Sequence, residues 1–250
     1  MQSLEGRHAL VTGGATGIGL AITKSLQSAG ARVTIASRNI ERVNAVASEL
    51  DGVTGIQLDV TDAADISAVF EQAGPVDILV NNAGIALAAP FEKTSLEQWS
   101  NIMAVNLTGV FLCTQAVLAS MRERNEGRII NVASTAGLKG APYISAYAAS
   151  KHGLIGMTQS LALEFATTGI TANCVCPGFT DTQMVGDAIA NITSKTGRSG
   201  DEALAKLVQY NPQKRLITPE EVADTVLWLC QDSSRSITGQ SIVIGGGEIT

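Results

Sequence analysis

Short apolar runs alternate with longer amphipathic ones along the whole chain. His8–Thr12, Arg32–Ala36, Gly55–Leu58, Val76–Val80, Arg128–Val132, Thr171–Val175 and Ser241–Ile244 read as strands. Between them the apolar positions recur every three or four residues. Leu20, Ala21, Ile22 and Leu26 predict a helix over Ile18–Ala29. Val43, Val46, Ala47 and Leu50 predict one over Ile40–Leu50. Longer helices are expected over Leu96–Arg124 and Ala146–Ala166. Thr218-Pro219-Glu220-Glu221 is a capping box with Pro at the first helical position, so another helix opens there. Strand–helix alternation of this kind builds a parallel sheet covered on both faces. The expectation is therefore an α/β fold with a doubly wound, seven-stranded parallel sheet. Residues 1–250 read as one domain, without linker, repeat or low-complexity tract. One stretch, 180–216, breaks the rhythm and reads as an inserted helical lid or loop over the substrate site.

Composition narrows the class. The chain has 250 residues, 45% hydrophobic and 16% charged, which suits a folded domain with a real core. A formal net charge of −6 argues against nucleic acid as a partner, since phosphate backbones require a basic face. Cys113, Cys174, Cys176 and Cys230 form no C-x-x-C pair, and there are two histidines, so no metal site is expected. Cys174 and Cys176 read as core residues sharing one face of a strand. The first residues carry no signal-like apolar segment, and no apolar stretch reads as membrane-spanning. These features point to a cytoplasmic protein in a reducing compartment.

Thr12-Gly13-Gly14-Ala15-Thr16-Gly17-Ile18-Gly19 follows the first strand and opens a helix. Glycine suits such a turn because the backbone must bend sharply, approach a pyrophosphate closely and pack on the neighbouring strand. The helix start then offers free N–H groups to phosphate oxygens. A glycine-rich turn without a ligand would share this composition, so the turn alone is a weak signal. It points to a Rossmann fold. Its pattern is T-G-x-x-x-G-x-G, with Gly13, Gly17 and Gly19 as the three glycines, rather than G-x-G-x-x-G.

That variant resembles the short-chain dehydrogenase/reductase family, and motifs along essentially the whole chain agree. Asn81-Asn82-Ala83-Gly84 ends the fourth strand, and Ser134 ends the fifth. Tyr147-Ala148-Ala149-Ser150-Lys151 matches Y-x-x-x-K, Asn106 lies in the long helix, and Pro177-Gly178 follows the sixth strand. Within the family the nearest likeness is to 3-oxoacyl-thioester reductases and 3-hydroxyacyl dehydrogenases.

The resemblance implies an NAD(P)-dependent oxidoreductase that interconverts a carbonyl and a secondary alcohol. Its catalytic set would be Ser134, Tyr147, Lys151 and Asn106. Tyr147 and Lys151 are four apart on a predicted helix and share a face. A tyrosine of ordinary pKa, about 10, is a poor acid–base group at neutral pH, and a neighbouring ammonium favours its phenolate. By the resemblance, Ser134 steadies the substrate oxygen and Asn106 holds a water linking Lys151 to solvent. Ser134 has Thr135 and Ser145 as neighbours of similar chemistry, and only the family spacing separates them.

Dinucleotide contacts are expected from Gly13, Thr16, Gly17, Ile18 and Gly19, from Ser37 and Arg38, and from Asp59 and Val60. Asn82, Ala83, Gly84, Tyr147, Lys151, Pro177, Gly178, Thr180 and Thr182 complete that set. The second strand ends Ile35-Ala36-Ser37-Arg38-Asn39, with no acid to bond a ribose 2′-hydroxyl. Arg38 suits a 2′-phosphate instead, so NADP(H) is expected; an Arg38 that only stacks on adenine would leave NAD(H) open. Ser134, Ala136, Leu138, Tyr143, Tyr147 and Phe179 are expected to line the substrate pocket. Between Gln183 and Arg215, five cations stand against three acids, and this positive rim would suit an acyl-CoA or acyl-carrier-protein thioester. A solvated helical face explains the same charges. Another small ketone or alcohol would also satisfy the catalytic set. A non-catalytic dinucleotide sensor would be free to lose Tyr147 or Lys151, which both stand. An epimerase or dehydratase of the extended branch usually needs a larger substrate domain. By analogy with the family, a homo-oligomer, dimer or tetramer, is expected.

Overall fold

The computed structural model describes residues 3–249. Seven strands form one parallel sheet: β1 (His8–Thr12), β2 (Arg32–Ser37), β3 (Val53–Gln57), β4 (Ile78–Asn81), β5 (Gly127–Val132), β6 (Ile170–Pro177) and β7 (Ser241–Ile244). Their order is β3-β2-β1-β4-β5-β6-β7. The order reverses between β1 and β4, where Thr12 stands opposite Asn81, and ligands of open α/β sheets gather at such a switch point. The doubly wound sheet is thus the fold that the alternation predicts.

Because successive strand residues face opposite ways, each central strand feeds two cores. Ala9, Val11, Ile78, Val80, Ile130 and Val132 face one side, and Leu10, Leu79 and Ile129 face the other. Burial on both faces is why these strands read as continuous apolar runs rather than as an alternation. The first face is covered by α1 (Gly17–Ser28), α2 (Ile40–Glu49) and α9 (Pro219–Cys230). The second carries α3 (Ala63–Ala73) and α5 (Gly109–Arg124). α6 (Ser145–Glu164) lies beside α5 and buries Leu154 and Ile155 with Cys174 and Cys176.

The Thr218 box forms as read: its hydroxyl accepts from Glu221 N at 3.3 Å, and Glu221 Oε2 accepts from Thr218 N at 2.8 Å. The pattern reading passes over α3, although Asp62 caps it and Ile66, Val69 and Phe70 bury one face at helical spacing.

The expected long helix is not uniform. α4 (Leu96–Met103) runs into a π-turn (Ala104–Thr108) before α5, and the Gly109 N–H bonds to Ala104 O, five residues back. Together these elements span 29 residues and are long and apolar enough to cross a membrane, which corrects the expectation that no stretch reaches that length. The apolarity has another use here, because Val110, Cys113, Val117 and Met121 pack against the sheet. The inserted segment holds α7 (Gln183–Thr196) and α8 (Gly200–Val208), which bury Val185 and Ala203 respectively.

Candidate active site

The glycine turn is shaped by sterics rather than by composition alone. Gly13 and Gly17 have φ of +67° and +50°, in the left-handed region that glycine enters freely. A Cβ on Gly19 would stand 2.2 Å from Gly13 O, so α1 approaches the turn more closely than any side chain permits. Asn82 Nδ2 donates to Thr12 O at 3.0 Å and to Gly13 O at 3.2 Å. The backbone N–H groups of Asn82 and Ala83 both donate to Thr12 Oγ1. The Asn82 side chain therefore braces the turn instead of reaching out to a ligand. On the opposite flank, a Cβ on Gly17 would touch Thr182 Cγ2 at 3.0 Å, which brings the first residue before α7 over the turn. Thr16 precedes α1 as an extended residue without a side-chain cap, leaving the helix start open. This cradle, with no room for side chains and a helix start at its floor, fits a pyrophosphate.

Ser37 and Arg38 stand at the tip of β2, Arg38 exposed. Asp59 Oδ1 accepts from Thr61 N at 2.9 Å and from Thr61 Oγ1 at 2.7 Å. These bonds, with a smaller contribution from Arg38, hold its pKa below the ordinary value. Val60 O would meet a Cβ on Gly109 at 2.5 Å, so the 59–60 corner is pressed onto the start of α5.

Ser134, Tyr147 and Lys151 converge at the carboxyl end of β5. Ser134 Oγ accepts from Ala136 N at 3.1 Å and stands close enough to Tyr147 to favour its ionised form. Lys151 Nζ donates to Val132 O at 2.7 Å and lies 5.7 Å from the Tyr147 ring centre. Burial lowers the Lys151 pKa to about 8, with the Cys174 and Cys176 thiols opposing. Burial also pushes the Tyr147 hydroxyl up; the Ser134 hydrogen bond opposes and Cys176 adds. The protein groups alone therefore do not give the lowered phenol expected from Lys151, because desolvation outweighs the one favourable bond.

Asn106 is wholly buried in the π-turn. Its Oδ1 accepts from Ile85 N at 2.9 Å, while Nδ2 donates to Ile85 O at 2.9 Å and Ser150 Oγ at 3.2 Å. The side chain ties the loop after β4 to α6 one residue before Lys151. Gly84 borders this junction, where a Cβ would make ordinary contact with Asn106 Oδ1 at 3.4 Å and Lys151 Nζ at 3.8 Å.

Beneath the site runs a polar network absent from the sequence reading. Asn81 Nδ2 donates to Asn131 Oδ1 at 2.9 Å, and Asn131 Nδ2 to Thr158 Oγ1 at 2.8 Å. Ser150 and Thr158 fall one and two turns from Tyr147 and Lys151 on α6, and their polar character in an apolar helix was the available signal. Ala136, Leu138 and Phe179 lie on the loops around Ser134 and Gly178, with Leu138 and Phe179 open to solvent. Tyr143 is 65% exposed, at φ +70°, a costly conformation for a bulky residue. Its carbonyl accepts from Ala89 N at 2.8 Å and joins two loops at the pocket mouth. Pro177 closes β6, Gly178 N donates to Ile244 O, and Thr180 Oγ1 donates to Gly178 O at 3.1 Å. In the inserted segment, Arg215 is paired in bidentate fashion with Glu221, and Lys214 Nζ donates to Gln209 O. Lys195, Arg198 and Lys206 remain; the last two line one surface groove with Glu202.

A phosphate cradle at the switch point, beside a serine–tyrosine–lysine cluster, defines a dinucleotide-dependent oxidoreductase. The short chain dehydrogenase family model matches residues 7–198. A putative ketoacyl reductase of Streptomyces coelicolor is 39% identical, over 99% of this chain and 98% of that protein. A D-beta-hydroxybutyrate dehydrogenase of Rhizobium meliloti is 36% identical, over 96% and 98%. A crystal structure of a point variant of actinorhodin polyketide ketoreductase with NADPH superposes with a TM-score of 0.94 at 37% identity, covering 99% of both chains. The chain belongs to the short-chain dehydrogenase family. It is an NAD(P)-dependent oxidoreductase that interconverts a carbonyl and an alcohol by hydride transfer.

Proposed function

We propose that the protein is an NADP(H)-preferring reductase of 3-oxoacyl thioesters, with Tyr147 as proton donor and Ser134 as the group that orients the substrate oxygen. The convergence of Ser134, Tyr147 and Lys151 around one point carries this reading. The cofactor supplies or takes the hydride. Gly13, Gly17 and Gly19 cradle its phosphates, with Thr16, Ile18, Ala83, Gly84 and Thr182 around them. Asp59 and Val60 bound the adenine end, and Arg38 meets the 2′-phosphate. Support for Arg38 comes from its exposure at the tip of β2, where no acid competes for the site.

A carbonyl oxygen placed between Ser134 Oγ and the Tyr147 hydroxyl accepts a proton from tyrosine as charge builds on it. The raised Tyr147 pKa keeps that proton in place at neutral pH, which suits reduction. Lys151, fixed by Val132 O, places a positive charge beside the phenolate left behind. The Asn106–Ile85 and Asn106–Ser150 bonds hold the lysine's surroundings rigid. The pocket wall of Ala136, Leu138, Tyr143 and Phe179 suits an acyl chain. The named activity of the Streptomyces relative supports the thioester class.

A homo-oligomer and a cytoplasmic location complete the proposal. On α5 and α6, Val110 and Leu154 turn inward, whereas Phe111 and Leu163 face outward. All four cysteines are free and buried, as a reducing compartment allows. Fluorescence titration with NADPH and NADH, followed by turnover of acetoacetyl-CoA, tests the proposal. At least tenfold tighter NADPH binding with thioester reduction is the expected result. Equal binding removes the Arg38 assignment, and failure of the thioester as a substrate removes the substrate class.

A further inference from the structure

The stretch 244–248 folds back onto the loop that follows β6. After β7, Gly178 N donates to Ile244 O at 3.0 Å and Glu248 N donates to Gly245 O at 3.0 Å. Gly246 packs so closely on Asn211 that a Cβ there would meet its Oδ1 at 2.2 Å. Asn211 is itself fixed, accepting from Gln213 N and donating to Arg215 O. This turn delivers the Glu248 carboxyl to the wall beside Gly178, where Oε2 lies 3.0 Å from the place a Cβ would occupy. A Cβ on Gly245 would touch Thr135 Cγ2 at 3.3 Å and Glu248 Cβ at 3.5 Å, so Glu248 stands close to Thr135, the residue that follows Ser134. Burial raises its pKa, while Lys139 and Thr135 favour the charged form.

Lys139 is exposed, so solvent screens it. The ion pairs found among the described residues involve Arg7, Arg124, Arg128 and Arg215, none of them with Glu248. The other expected wall residues, Ala136, Leu138 and Phe179, bring no cation. A substrate with its own carboxylate two carbons from the reacting carbonyl would set two like charges close together in a partly desolvated wall. A thioester is neutral at that position, and its distant phosphates lie a pantetheine arm away in screening solvent.

We propose that Glu248 is a specificity-determining residue that turns away free 3-oxo acids and leaves the site to their neutral esters and thioesters. The proposal rests on the substrate reading above, and it separates this chain from the hydroxybutyrate-type relative that it also resembles. Its test uses a matched pair, acetoacetate and methyl acetoacetate, which differ by one negative charge and one methyl group at the position in question. Steady-state NADPH oxidation is followed for the wild type, Glu248→Gln and Glu248→Lys, with an NADPH titration of each to establish an intact site. The wild type is expected to favour the ester at least 100-fold in kcat/KM. Glu248→Gln should raise the acid-to-ester ratio about tenfold, and Glu248→Lys should raise it further. Equal use of acid and ester by the wild type, or ratios within twofold in all three proteins, overturns the proposal. Acetoacetyl-CoA in parallel separates the two readings: ester turnover without thioester turnover removes the thioester class and leaves the Glu248 test standing. No turnover of any of the three by a protein that binds NADPH overturns both.

Discussion

The wall formed by β5 and α6 and the segment holding α7 and α8 are built in opposite ways. Lys151 is almost wholly enclosed and bonded to a strand carbonyl, and the polar groups around it bond to one another. In the 180–216 segment, α7 and α8 bury little, and most polar side chains face water. The wall holds its polar groups through mutual hydrogen bonds, which suits proton transfer between fixed groups. The segment carries shape and charge, which can vary without disturbing the chemistry. Chemistry and selectivity are therefore expected to respond to different substitutions.

The largest effect tests the wall. Tyr147→Phe should lower kcat at least about 1,000-fold, within the usual range for general acid–base groups, while NADPH binding by titration stays intact. Next comes the pH dependence. With its pKa at about 8, Lys151 carries its charge below that pH and loses it above. The kcat/KM for reduction, which reports the free enzyme, should therefore descend through about pH 8. Lys151→Met should remove that limb along with most of the activity. Gly19→Ala forces a Cβ onto Gly13 O. A thermal melt should show a loss of about 1–3 kcal/mol, typical of overpacking, together with weakened binding of both dinucleotides. Arg38→Ala should weaken NADPH binding about tenfold, the scale of one charge-assisted contact, and leave NADH unchanged. The smallest effect belongs to the segment: Arg198→Ala should shift stability by less than about 0.5 kcal/mol, as exposed sites do. A loss of stability there comparable with that of Gly19→Ala would break the comparison.

The same division explains what could be read from the chain. Strand–helix alternation and the glycine turn are local patterns, and they placed the sheet and the cofactor corner. The Tyr147–Lys151 spacing is also local, since four residues span one helical turn. The bonds of Asn106 were not legible, because they depend on a π-turn and on Ile85, 21 residues away. Neither was Glu248, 113 residues beyond Thr135, whose place follows from the turn around Asn211. Tyr147's shift needed burial, a property of the assembled fold. α3 was legible and passed over: Ile66, Val69 and Phe70 carry the helical spacing plainly.

The pairing of α1 with α9 sets the order in which the molecule can be completed. Ile22 and Leu26 come early in the chain, and Val222, Val226 and Leu229 come near its end, yet they share one core. During synthesis, the part of α1 that packs on α9 must wait for almost the entire chain before its cover arrives. Until then, the cradle's supporting helix is exposed to chaperones and to aggregation. A nascent chain stalled before Pro219 should be cut rapidly by protease in α1, whereas the released protein should resist.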